Sequence, residues 1–168
     1  MPNLVMPGCH DAGAQDLDCC ATGPDWKQAR GFLPLGCCVV VPWSAAQGQG
    51  PGELLSEGCR HFDLRIGIDD TEAEDDDGRY RLCHGFFSRK TLADFLQEVR
   101  DFLDEHPTEA VLLEVKGVMS FGDEIAMEDH ERLIAFMEEA LGGKGAFVDV
   151  NSRMRPVGEL VKEGRQVF

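Results

Sequence analysis

The sequence predicts an α/β protein with a mostly parallel sheet. Short apolar runs suited to strands alternate along the chain with longer segments whose apolar residues recur at helical spacing, and Gly or Pro separates many of them. The composition, with 43% hydrophobic and 28% charged residues, is typical of a globular protein. A length of 168 residues suits one modest domain or part of a larger one.

The first third of the chain is predicted to contain few regular elements. Residues 4–6 form a short strand that ends at Pro7 and Gly8, because proline lacks the N–H that a strand ladder needs. Residues 12–50 are predicted as a long irregular loop rich in Gly and Cys. Residues 51–57 form a short helix with proline in its first turn.

Two strands separated by an acidic loop follow. In residues 59–66 apolar side chains alternate with polar ones, which predicts a buried strand with Asp63 and Arg65 on the same face. Residues 69–77 contain seven acids in nine positions and are predicted as a solvated loop. Residues 80–84 are predicted as the next strand, and Gly85 follows it.

The second half has clear helical patterns. Thr91 can cap a helix that ends at a His-Pro pair, and its apolar residues form one stripe. The stripe consists of Leu92, Phe95, Leu96, Val99, Phe102 and Leu103. Residues 110–115 are predicted as a strand buried on both faces, as in parallel sheets. Helices follow over residues 129–141 and 156–162, and the last three residues begin another apolar run.

Charge and cysteine usage exclude several classes of protein. The 16 basic and 31 acidic residues give a net charge of −15, which argues against a nucleic-acid binder, because phosphates attract Lys and Arg. No apolar run is long enough to span a bilayer and the start lacks signal-peptide features, so we expect a cytoplasmic protein. The seven cysteines lack zinc-finger spacing and are expected as reduced thiols.

Polar side chains lie in or just after three predicted strands. His10 and Asp11 come after the first strand, Asp63 and Arg65 lie in the second, and His84 ends the third. Ligands of parallel α/β folds bind beyond the carboxyl ends of strands, so these side chains could converge. One imidazole can accept a proton while the other donates one, and a guanidinium can stabilise charge on phosphorus. The set therefore suits phosphodiester cleavage.

Each of these residues also has a purely structural interpretation. A single His at a strand end is more often an ordinary polar residue than a catalyst. Arg65 could form a salt bridge with Asp63 or with the acidic loop. The other histidines, His61, His106 and His130, are interpreted as structural or solvated.

Four motifs, in order, resemble those of the phosphatidylinositol-specific phospholipase C X-domain family. They are Met-Pro-Gly-Cys-His-Asp-Ala-Gly at residues 6–13, a block made of Trp43, Gln47 and residues 54–65, Leu-Cys-His-Gly at residues 82–85, and residues 102–114. The resemblance runs from residue 3 to about residue 141. It implies a TIM-type barrel, of which residues 1–168 would be a partial domain with about the first half of the strands.

The resemblance also implies a role for each candidate residue. His10 would be the general base on the inositol 2-hydroxyl, and His84 the general acid for the leaving diacylglycerol oxygen. Asp11 would orient and charge His84. Arg65 would stabilise the phosphorane-like transition state. The carboxylate that supports the base histidine in bacterial members comes from late in the barrel, and no residue of this sequence is assigned to it.

The remaining candidates concern the substrate and a metal. Asp63 and Lys116 are expected to contact the substrate. Calcium-dependent members carry a carboxylate where Arg65 stands, whereas bacterial-type members carry Arg. Arg65 therefore indicates a metal-independent enzyme without a cofactor. If calcium or magnesium were required, Glu114 and Asp63 would be the ligands.

The expected partner is a phospholipid or related phosphodiester, which the protein meets transiently at a membrane surface. No nucleic acid is expected as a partner. One alternative is a metal-dependent glycerophosphodiester phosphodiesterase, which would need a Glu-x-Asp metal pair where residues 63–65 stand. Another is a catalytically inactive fragment, because the chain stops as a fifth strand begins. A half-barrel with open sheet edges is expected to aggregate, unfold in part or pair with another copy.

Overall fold

The structure is a computed structural model that describes residues 5–24, 41–42, 44–69, 76–121, 125–143, 147–148, 151–152 and 155–168. Its strands are β1 (Gly8–Cys9), β2 (Leu17–Thr22), β3 (His61–Ile68), β4 (Tyr80–His84), β5 (Phe86–Thr91) and β6 (Leu112–Met119). Its helices are α1 (Pro51–Ser56), α2 (Asp76–Arg79), α3 (Leu92–Glu105), α4 (Met127–Ala140) and α5 (Val157–Lys162). Predictions for residue 4, for residues 25–40 and Trp43 of the long loop, and for 70–75 of the acidic block lie outside the described residues.

Strand β3 is the centre of the sheet. It pairs in parallel with β1 at its start and with β6 along its length. Its far end pairs with β4 in antiparallel orientation, and β4, β5 and β2 continue the sheet as antiparallel neighbours. The α/β class is confirmed. The mostly parallel sheet is wrong, because β4 and β5 form a tight hairpin through Gly85, whose φ of 76° favours glycine.

The N-terminal part of the sheet differs most from the prediction. Residues 5–6 are not in a strand, and β1 lies after Pro7 instead of before it. Proline lacks only the donor, and the Pro7 carbonyl accepts hydrogen bonds from the amides of Arg60 and His61. The predicted loop over residues 12–50 is wrong at β2, which is a strand that pairs with β5. Strand β5 was not predicted from the sequence either.

Helix α3 confirms the predicted cap and stripe. The Thr91 hydroxyl accepts a hydrogen bond from the Asp94 amide, and the Asp94 carboxylate accepts one from the Thr91 amide. All six residues of the stripe are buried. Phe95 packs edge-on against Phe62 of β3, with ring centroids 5.7 Å apart. This contact holds α3 against the apolar face of the sheet.

The alternation predicted for β3 is also confirmed. Phe62, Leu64 and Ile66 are fully buried in the core. Because successive side chains of a strand point to opposite faces, Asp63 and Arg65 lie on the other face, away from α3. The apolar half of this strand therefore anchors the sheet, and the polar half carries the candidate site.

Most of the remaining elements match their predicted positions. Strand β4 has the predicted bounds, and α1, α4 and α5 lie within two residues of theirs. Near the end of the chain, buried Val167 pairs in parallel with Val111 and with Phe147. None of the helices in the described ranges has the length and apolar character needed to cross a bilayer.

Two burial predictions are wrong. Strand β6 is not buried on both faces, because Val115 is 39% exposed and Lys116 is the extra residue of a bulge against β3. Asp69, expected in a solvated loop, is buried with a carboxylate oxygen 3.3 Å from the Arg81 guanidinium. The nearby positive charge makes this burial tolerable.

Candidate active site

A turn after β1 carries two of the candidate residues, His10 and Asp11. Asp11 is in the left-handed region with φ of 48°, and its amide donates to Asp63 Oδ1 at 2.5 Å. The Ala12 amide donates to the Asp63 carbonyl at 2.9 Å. A side chain at Gly13 would lie 2.0 Å from a buried leucine of β4, so only glycine fits there. These contacts tie the turn to β3.

The His10 imidazole lies against Asp63. Its Nδ1 is 2.7 Å from Asp63 Oδ2, and a carboxylate only accepts, so Nδ1 carries the proton and Nε2 is free to exchange one. This hydrogen bond, together with the charges of Asp11 and Asp63, raises the pKa of His10 above its ordinary value. The His10 side chain is 68% exposed, so its Nε2 is accessible to a substrate.

Asp63 remains ionised for a related reason. Its burial is the largest single effect and opposes ionisation, but hydrogen bonds from His10 and from the Asp11 amide outweigh it and lower the pKa of Asp63. The positive charge of Lys116 acts in the same direction. Asp63 therefore keeps a permanent negative charge beside His10, which orients the imidazole through Nδ1 and stabilises the positive charge that forms when Nε2 takes up a proton.

Asp11 is the centre of the cluster. Its buried carboxylate places Oδ2 3.3 Å from His10 Nε2 and 3.5 Å from His84 Nε2. Its other oxygen, Oδ1, lies 2.7 Å from Arg65 Nε. One buried carboxylate thus faces both imidazoles and the guanidinium.

The His84 imidazole is oriented from its other side. Its Nδ1 lies 2.7 Å from the backbone carbonyl of Ser44. A carbonyl only accepts, so Nδ1 carries the proton, and His84 exchanges its second proton through Nε2, which faces Asp11. Both histidines therefore exchange protons through Nε2 beside the same carboxylate, an arrangement suited to paired acid and base catalysis.

A second polar cluster lies next to this one on β3 and β6. Glu114 Oε1 is 2.6 Å from Lys116 Nζ, and Glu114 Oε2 is 3.1 Å from His61 Nε2. The hydrogen bond with Lys116 lowers the pKa of Glu114 and raises that of Lys116. Asp63 lies opposite Glu114 in the β3–β6 register, which places this cluster beside the site.

The carboxylates fit a calcium or magnesium ion poorly. Ligand atoms of His10, Asp11 and Asp63 lie within 4.8 Å of one another. However, the Arg65 guanidinium already contacts Asp11, and a divalent cation there would be repelled by it. Calcium prefers six to eight oxygen ligands, whereas here the two oxygens of Glu114 are taken by Lys116 and His61.

The structure brings together all five residues predicted to converge, namely His10, Asp11, Asp63, Arg65 and His84. Asp11 lies beside His84, as expected, and also beside His10. Asp63 was expected to bind substrate, but its carboxylate is hydrogen-bonded to His10. No residue of the sequence had been assigned to such a carboxylate beside the base histidine. Arg65 pairs with Asp11, an acid that the structural interpretation of this arginine did not consider. Lys116 lies beside the cluster and is paired with Glu114.

Sequence reasoning missed two contacts of the site. The Ser44 carbonyl orients His84, and the Gln47 side chain donates to the His10 carbonyl at 2.5 Å. Gln47 was part of a motif block but had no assigned role. A backbone carbonyl leaves no trace in the residue type, so only the fold could identify Ser44.

Comparison with known proteins gives consistent matches. The family described as phosphatidylinositol-specific phospholipase C, X domain, matches residues 40–154, a segment that contains Asp63, Arg65 and His84. The human PI-PLC X domain-containing protein 2 is 32% identical over 150 residues, covering 86% of this chain and 46% of that protein. The human PI-PLC X domain-containing protein 3 is 30% identical over 153 residues, covering 86% and 44%. The chain thus spans less than half the length of these relatives.

A solved structure shows the same fold. A phosphatidylinositol-specific phospholipase C from Staphylococcus aureus superimposes with a TM-score of 0.60 at 18% sequence identity. The match covers 96% of this chain and 45% of the bacterial one.

Proposed function

Because this chain belongs to the family of phosphatidylinositol-specific phospholipase C X domains, we propose that it is a phosphodiesterase of the phospholipase C type. Its substrate is a phosphoinositide-type lipid head group, met transiently at a membrane surface. The observation that carries this proposal is the convergence of His10 and His84 on Asp11, with Arg65 on the other oxygen of that carboxylate.

The geometry supports a defined role for each residue. His10 Nε2 accepts the proton of the inositol 2-hydroxyl while that oxygen forms a bond to phosphorus. The bond from phosphorus to the diacylglycerol oxygen breaks, and His84 Nε2–H gives its proton to that oxygen. The products are a cyclic inositol phosphate and diacylglycerol. Arg65 stabilises the negative charge on the phosphoryl oxygens.

Two carboxylates keep this pair ready for the reaction. Asp63 holds the His10 proton on Nδ1, so that Nε2 is the basic atom. Asp11 lies 3.5 Å from Nε2 of His84 and helps to orient the imidazole that gives up its proton there. Lys116, beside Asp63, is proposed to contact the head group.

We further propose that the reaction needs no metal and that the sheet is part of a TIM-type barrel. The fixed charge of Arg65 supports the first statement, because it lies where a metal would otherwise balance Asp11. The shared fold with the S. aureus enzyme supports the second, and the coverage of 45% of that chain corresponds to about half of a barrel. A metal-dependent glycerophosphodiester phosphodiesterase is disfavoured, because residues 63–65 offer one carboxylate and a guanidinium.

The test is release of a cyclic inositol phosphate from phosphatidylinositol vesicles. His10→Ala and His84→Ala should each lower the rate by about 10²–10⁴-fold, with the melting temperature lowered by no more than a few degrees. His106→Ala is the matched control, since His106 is bonded to the Phe102 carbonyl at the end of α3. Unchanged turnover in His10→Ala would contradict the assignment, and an inactive parent chain would favour a non-catalytic member of the family.

A further inference from the structure

The segment Ser44–Ala45–Ala46–Gln47, called the strap here, lies across both segments that carry a catalytic histidine. The Gln47 amide donates to the His10 carbonyl at 2.5 Å. The Ser44 carbonyl accepts from His84 Nδ1 at 2.7 Å. Between these two contacts, the Ala46 amide donates to the Ala14 carbonyl at 3.0 Å. The strap therefore connects the turn after β1 with the end of β4.

Gln47 completes the support of one peptide group. The peptide that joins His10 to Asp11 has its carbonyl held by Gln47 and its N–H held by Asp63. Asp11 is in the left-handed region, a conformation that is uncommon for non-glycine residues although Asp tolerates it better than most. Loss of the Gln47 contact would free one side of this peptide and let the Asp11 carboxylate move.

Ser44 acts at the opposite end of the strap. It is buried, and the Ala45 amide is bonded to the Val41 carbonyl in a helical turn that precedes it. Val41 packs against the apolar cluster of Ala14, Leu17 and Phe86. The carbonyl that orients His84 is thus held by backbone pairing and apolar contact, and not by His84 alone.

The strap contains no titratable side chain. Its effect on the site is therefore geometric, unlike that of Asp11 or Asp63, which act by charge. This difference separates the consequences of changing Gln47 from those of changing the charged residues.

We infer that Gln47 is a positioning residue, which holds the peptide between His10 and Asp11 so that the Asp11 carboxylate faces both imidazoles. The inference rests on the proposed function for its effect on catalysis, and on the structure alone for its effect on the imidazoles. Gln47 touches neither the reacting atoms nor an imidazole, so it acts through His10 and Asp11.

Two neutral variants and one control test this role. Gln47→Leu removes the donor, and Gln47→Asn keeps the amide but is one methylene too short to reach the His10 carbonyl. Gln49→Leu is the control, because Gln49 is a neighbour that donates to Glu57 at 2.8 Å, away from the site. None of the three changes the net charge.

The readout is the ¹⁵N spectrum of the imidazoles of the folded chain, combined with steady-state kinetics. With the spectra recorded across a range of pH, we expect His10 of both Gln47 variants to lose its second proton at lower pH than in the parent and in Gln49→Leu, because a displaced Asp11 carboxylate no longer raises its pKa. We also expect kcat on phosphatidylinositol vesicles to fall by about tenfold to a hundredfold with KM nearly unchanged.

The two readouts separate failure of this inference from failure of the proposed function. An inactive parent with altered imidazole spectra in the Gln47 variants would overturn the proposed function and retain the positioning role. Identical imidazole spectra in Gln47→Leu and Gln49→Leu would overturn the positioning role, whatever the kinetics. If Gln47→Leu does not fold, Gln47→Asn decides, and a parent-like spectrum in that variant would likewise overturn the role.

Discussion

Replacing Asp63 with asparagine tests the support of the general base directly. The Asp11 amide donates to Asp63 Oδ1, and the oxygen of an asparagine would keep that contact. The new amide nitrogen would then occupy the place of Oδ2, 2.7 Å from His10 Nδ1. Because that nitrogen only donates, it would favour the tautomer with the proton on Nε2, which cannot act as a base at Nε2.

The size of the effect follows from this change of tautomer. We expect the maximal rate to fall by roughly 10²–10⁴-fold, the range covered by loss of a positioned general base. The fold should change little, because the lost hydrogen bond involves an exposed imidazole and contributes about 1 kcal/mol at most. For a domain of this length, that corresponds to roughly 2–4 °C in melting temperature.

The pH dependence gives a second measure of the same contact. The hydrogen bond with Asp63 raises the pKa of His10, so the acid limb of the rate profile should move to lower pH in Asp63→Asn. In the parent, the imidazole contributes stability that is lost as pH rises through its raised pKa. The carboxylate contributes stability that is lost as pH falls through its lowered pKa. The pair is therefore most stabilising between about pH 4 and 6.5.

The assay is the full pH–rate profile for release of the cyclic inositol phosphate, with thermal melting of each variant. Asp104→Asn is the matched control, because that carboxylate is exposed on α3 and pairs only weakly with Arg100 at 3.8 Å. A profile of Asp63→Asn that matches the control in height and in acid limb would refute the reasoning.

Three further predictions concern charge, stability and thiol reactivity. Arg65→Lys keeps the charge but loses the planar fork of donors, so turnover should fall by about tenfold to a hundredfold. Activity of the parent should persist in excess chelator. Loss of activity on chelation that calcium restores would contradict metal independence. Glu98→Ala removes the acceptor of the Gly52 amide in α1, and should lower the stability measured by urea unfolding by about 1 kcal/mol. Burial raises the pKa of Cys9 to about 11, so a thiol reagent at neutral pH should modify Cys9 only after unfolding, as located by peptide mass spectrometry. Rapid modification of Cys9 itself in the native chain would contradict its burial.

The helices and the central strand were predictable because their signals are local. The cap at Thr91 and the apolar stripe of α3 lie within one segment, so residue type and spacing were enough to give its bounds. The same holds for β3, where strict alternation placed Asp63 and Arg65 on one face. The candidate residues of the site followed from motif chemistry at strand ends.

Strand pairing and the second contacts of the site were not predictable in this way. β1 follows Pro7 because a carbonyl there accepts from residues about fifty positions later. β5 and the antiparallel half of the sheet depend on a hairpin at a single glycine.

The sequence indicated which side chains form the candidate site, whereas the tertiary structure determined what each of them contacts. Residue type alone suggested a base, an acid and a guanidinium. That Asp63 supports His10, that Asp11 faces both histidines, and that Ser44 orients His84 depend on hydrogen bonds between segments far apart along the chain. Such bonds form wherever packing brings a donor to an acceptor, and they leave no periodic pattern in either segment.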